Sequence, residues 1–173
     1  MKRKSAVLVT FLLMVIPSQL FAKGATVRIT IKGADLRTPI EITEAKVLAH
    51  FQVWTGPGTS SNEAKSFIID WSQGPAAERP KGLQRYEVSF YAKLPSERLI
   101  YVVFYEYDPT TDRGYVYLPG RTDDWYALNV GTIDHGVEGN WFHAWTVWDR
   151  VAGPLIASAK ATASSTGPGK SPR

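Results

Sequence analysis

Three β-rich runs separated by short loops constrain the fold of this chain more than any other feature. The runs are 83–91, 98–107 and 114–118, and each loop between them, 92–97 and 108–113, has six residues including a proline. Loops of this length join neighbouring antiparallel strands. The sequence therefore predicts an antiparallel meander.

Other segments extend this sheet. Strict alternation of apolar and polar residues over 26–32 predicts a half-buried strand. Further strands are predicted at 66–71, 125–130 and 140–144. The resulting sheet has about five to seven strands.

Two segments have apolar residues at helical spacing. The first predicts a short helix at 43–53, capped by Thr43. The second predicts a C-terminal helix that begins near Val147 behind a capping box and breaks near Gly153-Pro154. We therefore expect an α+β fold, with a β-sandwich carrying incidental helices as the alternative.

The two ends of the chain differ in composition from its middle. Residues 1–22 combine the basic run 2–4, the apolar stretch 6–16 and a final Phe21-Ala22, which predicts a cleaved signal peptide. Leu20 lies where a small residue is preferred, so an uncleaved membrane anchor is the alternative. A single domain at 23–156 and a disordered tail at 157–173 complete the expected organisation, and the product is exported, either periplasmic or extracellular.

Charge and cysteine content exclude some classes of function. The chain has no cysteine, which excludes thiol chemistry and disulfides. Its 20 cationic residues outnumber its 16 acids, but residues 23–156 hold 14 cations and all 16 acids, a net charge of −2. A basic surface for nucleic acid is therefore not expected, and contact with a membrane is expected only if the N-terminal segment stays attached.

Several short phrases resemble those of a group of small exported bacterial proteins of unknown function. The phrases are FQVWTGPGT at 51–59, GLQRYEVSFY at 82–91, YVVFYEYDP at 101–109, YVYLPG at 115–120 and GVEGNWF at 136–142. The resemblance implies export and a single domain, and it implies no activity, substrate or catalytic residue.

One face of the predicted meander is the candidate binding surface. If Tyr91 faces Arg98 and Tyr107 faces Gly114, this face combines aromatic rings with charged groups. Its candidate ligand-binding residues are Arg85, Glu87, Tyr91, Glu106, Tyr115 and Tyr117. Such a surface suits sugars or other polyols, because rings stack on C–H faces while carboxylates accept hydroxyl protons. The competing interpretation is a face covered by the C-terminal helix, or by Trp54 and Trp71, with Glu106 paired to Arg113 or a tyrosine hydroxyl.

Few residues offer catalytic chemistry. Glu87 and Glu106 form a conceivable acid and base pair for glycoside hydrolysis. His135 lies in a glycine-bearing loop between Asp134 and Glu138, where functional residues are common. No histidine spacing matches a metal site, so neither metal nor other cofactor is expected.

Three functions remain open at this point. A non-catalytic exported domain that binds a small molecule or an envelope protein leads, since an aromatic and carboxylate face needs no catalytic geometry. An envelope hydrolase using Glu87 and Glu106 or His135 predicts those groups in a deep pocket with shifted pKa values. A structural envelope protein predicts an exposed apolar patch around Trp141 or Trp145.

Overall fold

A single antiparallel sheet organises residues 24–59 and 67–165, the part of the chain that the structure, a computed structural model, describes. Its strands are β1 (Thr26–Gly33), β2 (Ile40–Ile42), β3 (Arg85–Lys93), β4 (Glu97–Asp108), β5 (Arg113–Tyr117) and β6 (Trp141–His143), in the spatial order β2-β1-β3-β4-β5-β6. The predicted α+β class and meander are confirmed. One sheet in the described residues also makes the β-sandwich alternative wrong. The predicted segment 1–22 lies outside them.

Within the described residues, three α-helices accompany the sheet: α1 (Ala45–Leu48), α2 (Tyr126–Thr132) and α3 (Thr146–Ser165). The helix predicted at 43–53 is reduced to the four residues of α1, and Glu44 rather than Thr43 precedes it without a side-chain cap. Of the strand predicted at 66–71, the described residues form one bridge, between Ile69 and Ala144, followed by a 3₁₀ turn.

Helix α2 replaces the strand predicted at 125–130, and its contacts with β4 explain why. Strand β5 pairs only with residues 104–108 of β4, so the preceding part of β4 has an edge that β5 does not reach. The Asn129 side chain bonds both the N–H and the C=O of Val102, at 2.9 and 2.7 Å. Thr132 Oγ1 donates to the Ile100 carbonyl at 2.6 Å. Because the helix supplies hydrogen-bond partners to these backbone groups of β4, it is favoured over the strand that the local β propensity predicts.

Helix α3 corrects two predictions about the C-terminal region. It continues through Pro154 without ending there, and it extends to Ser165. The predicted disorder of 157–173 is therefore wrong for residues 157–165, and 166–173 lie outside the described residues. Lys160 Nζ lies 2.7 Å from Asp35 Oδ2, and that carboxylate accepts a hydrogen bond from Tyr86. This contact attaches the C-terminal half of α3 to the sheet.

The sheet has one face packed against α3 and one face turned away from it. On the packed face, here called the inner face, Trp148 meets the rings of Phe51 and Tyr105 at centroid distances of 5.1 and 5.8 Å. Alternate strand residues such as Val88 and Val103 complete this core and are fully buried. The opposite, outer face carries five of the predicted candidate residues: Arg85, Glu87, Glu106, Tyr115 and Tyr117. The C-terminal helix, expected in the competing interpretation to cover that face, lies on the other one.

The strand register is partly as predicted. Tyr107 pairs with Gly114 as expected, but Tyr91 pairs with Leu99 rather than Arg98, beside a bulge after Phe90. Over most of β3 and β4 the true register differs from the expected one by two residues. An even shift keeps side chains on their predicted faces, so Arg85, Glu106 and Tyr117 lie on one face as predicted.

Candidate functional site

Two rows of side chains cross the outer face at right angles to the strands. The first row contains Glu87, Phe104, Tyr117 and Trp141, and the second contains Arg85, Glu106, Tyr115 and His143. Each row takes one residue from each of β3 to β6, because directly paired residues on neighbouring strands project to the same face. Five of the seven predicted site residues lie in these rows, on one sheet face as predicted: Arg85, Glu87, Glu106, Tyr115 and Tyr117.

Three aromatic rings of the first row, called the ring row here, lie side by side. The centroids of Phe104 and Tyr117 are 6.4 Å apart at an angle of 25°, and those of Tyr117 and Trp141 are 5.1 Å apart at 34°. All three side chains are half-buried. The Tyr117 hydroxyl donates to Asp123 at 2.9 Å, which fixes the central ring, and burial raises the pKa of this phenol.

Glu106 lies beside the ring row and is almost fully buried, with 3% of its side chain exposed. Arg85 Nε donates to Oε1 at 3.1 Å, and Arg79 Nη1 donates to Oε2. Both carboxylate oxygens therefore accept bonds from guanidinium groups. The expected partners, Arg113 or a tyrosine hydroxyl, are not the ones found.

Arg79 was missed by the sequence-based prediction because it lies in the irregular connection before β3. Its guanidinium carbon is 4.0 Å from the centroid of the Trp141 ring, a cation–π geometry. Trp141 was considered only as a possible exposed ring, yet it packs under Arg79 at the end of the ring row. The sequence shows only that Arg79 is a charged residue in an irregular segment before β3, and this does not indicate that the segment crosses the sheet.

Glu87 belongs to a separate network at the other end of the first row. Its carboxylate accepts hydrogen bonds from Trp125 Nε1 and Ser89 Oγ, both at 3.2 Å, and Lys32 Nζ lies 3.7 Å away. Glu87 pairs with Phe104, whereas Glu106 pairs with Arg85, so the two carboxylates do not face each other across a strand pair. They are diagonal neighbours on adjacent strands, and each carboxylate is held in a hydrogen-bond network of its own.

Tyr91 and His135 lie away from the outer-face rows. Tyr91 sits under Arg28, whose guanidinium carbon is 3.8 Å from the ring centroid and which also bonds Glu97. His135 is buried in an aromatic cluster, 5.0 Å from the Trp71 ring and 5.9 Å from the Tyr101 ring.

The chemistry of His135 is that of a buried neutral imidazole. Its Nδ1 lies 2.7 Å from the Pro57 carbonyl oxygen, which requires an N–H at that position. Its Nε2 is buried without a hydrogen-bond partner in the described residues, as are the Tyr101 hydroxyl and Trp71 Nε1. Burial lowers the pKa of the imidazole despite nearby Glu138 and Asp134. The side chain is 3% exposed, so it is not presented to a substrate.

A further buried carboxylate, Asp149 on α3, was predicted only as part of a capping box. Instead it accepts hydrogen bonds from the Tyr105 hydroxyl at 2.8 Å and from the Gly114 N–H at 3.1 Å. Burial raises its pKa to about 6. It lines a cavity of about 60 Å³ with His143 and Thr146. That volume suits a few water molecules and is too small for a sugar ring.

The described residues contain neither a cluster of metal-binding side chains nor a membrane-spanning helix. Within 24–59 and 67–165, no group of three or more histidine, aspartate or glutamate side chains is arranged to hold a metal ion. Over the same residues, no helix has the length and apolar character needed to cross a bilayer.

Comparisons of the chain with family models, with curated proteins and with solved structures find no match. Any functional assignment therefore rests on the geometry of the outer face.

Proposed function

We propose that this protein is a non-catalytic, exported binding domain that takes a saccharide on the outer face of its sheet. The observation that carries the proposal is the ring row, in which Phe104, Tyr117 and Trp141 follow one another across three strands and each remain partly exposed. Rings held in this way offer flat apolar surface to the C–H faces of sugars.

Polar groups beside the rings supply the hydrogen bonds that a saccharide needs. Arg79 and Arg85 border the ring row on the Glu106 side, and Asp123 borders it beside Tyr117. Guanidinium groups donate to hydroxyl oxygens, and carboxylates accept from hydroxyls. The rings are held by neighbouring strands rather than by loops, which favours a site that is preorganised before the ligand arrives.

Binding is favoured over hydrolysis by the state of the carboxylates. Each oxygen of Glu106 already accepts a bond from an arginine, and Glu87 is shared among Trp125, Ser89 and Lys32. Neither is free to donate or remove a proton at a glycosidic bond, which is what acid and base catalysis requires. The occupied carboxylates and the burial of His135 therefore favour binding over the enzyme alternative.

A purely structural role lacks the apolar patch that it predicts. Trp141 and Trp145 are only partly exposed, and the exposed large apolar side chain found in the described residues is Leu155 on α3. Export, with a periplasmic or extracellular location, and kinship with small exported bacterial proteins remain part of the proposal and rest on the sequence of 1–22 and on the resembling phrases.

The proposal is tested by titrating the purified full chain with a panel of neutral and acidic oligosaccharides while following tryptophan fluorescence. We expect at least one oligosaccharide to bind, and Trp141→Ala and Tyr117→Ala each to weaken it about tenfold through loss of stacking. Tyr91→Ala is the matched control, since it removes a half-buried tyrosine from the same sheet outside the ring row.

Melting curves of all three variants establish that they are folded. Absence of binding across the panel would count against the proposed function. So would ring-row variants that bind as well as the unaltered chain.

A further inference from the structure

Arg85 has an arrangement that the binding proposal alone does not explain. It uses Nε to bond Glu106 at 3.1 Å, while half of its side chain is exposed. Neither terminal nitrogen of its guanidinium has a hydrogen-bond partner in residues 24–59 and 67–165. Within that part of the chain, the end of the guanidinium that can bind a planar anion through two parallel N–H bonds is therefore unoccupied.

The unoccupied end is held beside the ring row. The guanidinium carbon of Arg85 lies 5.4 Å from the Trp141 ring centroid and 5.6 Å from the Phe104 ring centroid. Its Nε bond to a buried carboxylate and these two ring contacts limit its rotation. An arginine oriented in this way loses less conformational entropy on binding a ligand than a freely mobile one.

The local charge also favours an anion. Two guanidinium groups, from Arg79 and Arg85, share the single carboxylate of Glu106. The three groups together carry one excess positive charge, and the Asp123 carboxylate, which also borders the ring row, already accepts bonds from the Tyr117 hydroxyl and the Gly120 N–H. Arg79 is the more enclosed of the two arginines and packs against Trp141, so the excess charge is presented to solvent chiefly by Arg85.

We propose that the ligand is a saccharide carrying a carboxylate, as uronic acids do, and that Arg85 binds this carboxylate through its two terminal nitrogens while the sugar ring packs on the ring row. This inference rests on the proposed function and adds the charge of the ligand. Carboxylate geometry matches the planar fork of a guanidinium, and the bonds formed are charge-assisted. Arg85 is on this account a specificity-determining residue.

Pairs of charged and uncharged saccharides distinguish carboxylate binding by Arg85 from saccharide binding in general. Oligomers of galacturonate, glucuronate and mannuronate are titrated into the full chain, each beside its methyl ester, which keeps the sugar and removes the charge. We expect the acid to bind about tenfold or more tightly than its ester, with an affinity that falls as salt rises.

Variants then assign the preference to one side chain. Arg85→Gln is expected to abolish the difference between acid and ester, and Arg85→Lys to restore only part of it, because an ammonium keeps the charge and loses the fork. Arg98→Gln is the control, since it removes an exposed arginine from β4 outside the two rows. Should Arg85→Gln fail to fold, Arg85→Lys alone still decides, because an undiminished acid preference in that variant contradicts bidentate binding.

Each remaining outcome has a distinct meaning. Equal binding of acid and ester would overturn the carboxylate inference and leave a neutral saccharide ligand in place. Binding of none of the saccharides would overturn both proposals. An acid preference that survives Arg85→Gln would place the anion elsewhere on the molecule.

Discussion

Glu106 on β4 and Asp149 on α3 are both buried carboxylates, on opposite sides of the sheet, and their surroundings separate a binding surface from a structural contact. Glu106, on the outer face, accepts bonds from two partly exposed guanidinium groups. Asp149, on the inner face, accepts bonds from neutral donors, the Tyr105 hydroxyl and the Gly114 N–H. Cations leave a carboxylate charged and its surroundings polar, whereas neutral donors only partly offset the desolvation of the charge.

The largest effect is expected from Asp149→Ala. The substitution removes the acceptor of two buried donors, Tyr105 Oη and the Gly114 N–H, and leaves space between α3 and β5. We expect the free energy of unfolding to fall by about 2–5 kcal/mol, measured by urea denaturation. Thr162→Ala on the exposed part of α3 is the control, expected within about 0.5 kcal/mol of the unaltered chain. A loss below about 1 kcal/mol for Asp149→Ala would contradict the structural role.

The second largest effect is a change of folding stability with pH, caused by the titration of Asp149. Its pKa is raised to about 6 in the folded state by burial, from an ordinary value near 3.8 when unfolded. Between these values the folded state binds the extra proton, so this group destabilises the fold progressively as pH rises from about 4 to 6. The full effect at neutral pH is on the order of 2–3 kcal/mol.

The measurement that isolates this effect is the difference in unfolding free energy between the unaltered chain and Asp149→Asn at pH 4.5 and 7. We expect the unaltered chain to lose stability relative to Asp149→Asn when the pH rises from 4.5 to 7. Taking the difference removes the opposing effect of His135, whose lowered pKa makes the fold lose stability as pH falls below about 6.5. A difference that does not change with pH would show that Asp149 is not a carboxyl with a raised pKa.

The smallest effect on stability is expected from Glu106→Gln, even though it breaks two ion pairs. Arg79 and Arg85 are 28% and 50% exposed, so water can solvate them once the charge is removed. We expect a loss of about 1–2 kcal/mol by urea denaturation, less than for Asp149→Ala. A loss larger than that of Asp149→Ala would reverse the comparison and make Glu106 the structural carboxylate.

The sheet could be predicted from sequence because its signals are local. The β-rich runs and six-residue loops of 83–118 predicted the three central strands, and a register error of two residues left Glu106 and Tyr117 on the correct face. Face assignment depends only on parity, which is why it survived that error. The same information could not place Arg85 opposite Glu106, because strand register depends on long-range packing.

The mistaken elements depend on contacts between distant residues. The aromatic start of 125–130 suggested a strand, and helix α2 is held there by Asn129 on Val102. The tail beyond residue 156 has no large apolar residue, and its helix is anchored by a single charged residue, Lys160, on Asp35. Arg79 reaches the site from a loop of 74–84, and no periodic pattern reports where a loop crosses a sheet.

The bonds from α2 to β4 also affect how this chain meets other copies of itself. Strand β4 has 12 residues and β5 has 5, so without α2 a run of backbone donors and acceptors on β4 would be open to a strand from another molecule. Open edges of this kind promote aggregation and strand exchange. Asn129 and Thr132 occupy backbone groups of Val102 and Ile100 that such a strand would use. By bonding these backbone groups, Asn129 and Thr132 of helix α2 block intermolecular strand pairing at this edge of β4, the longest strand of the sheet.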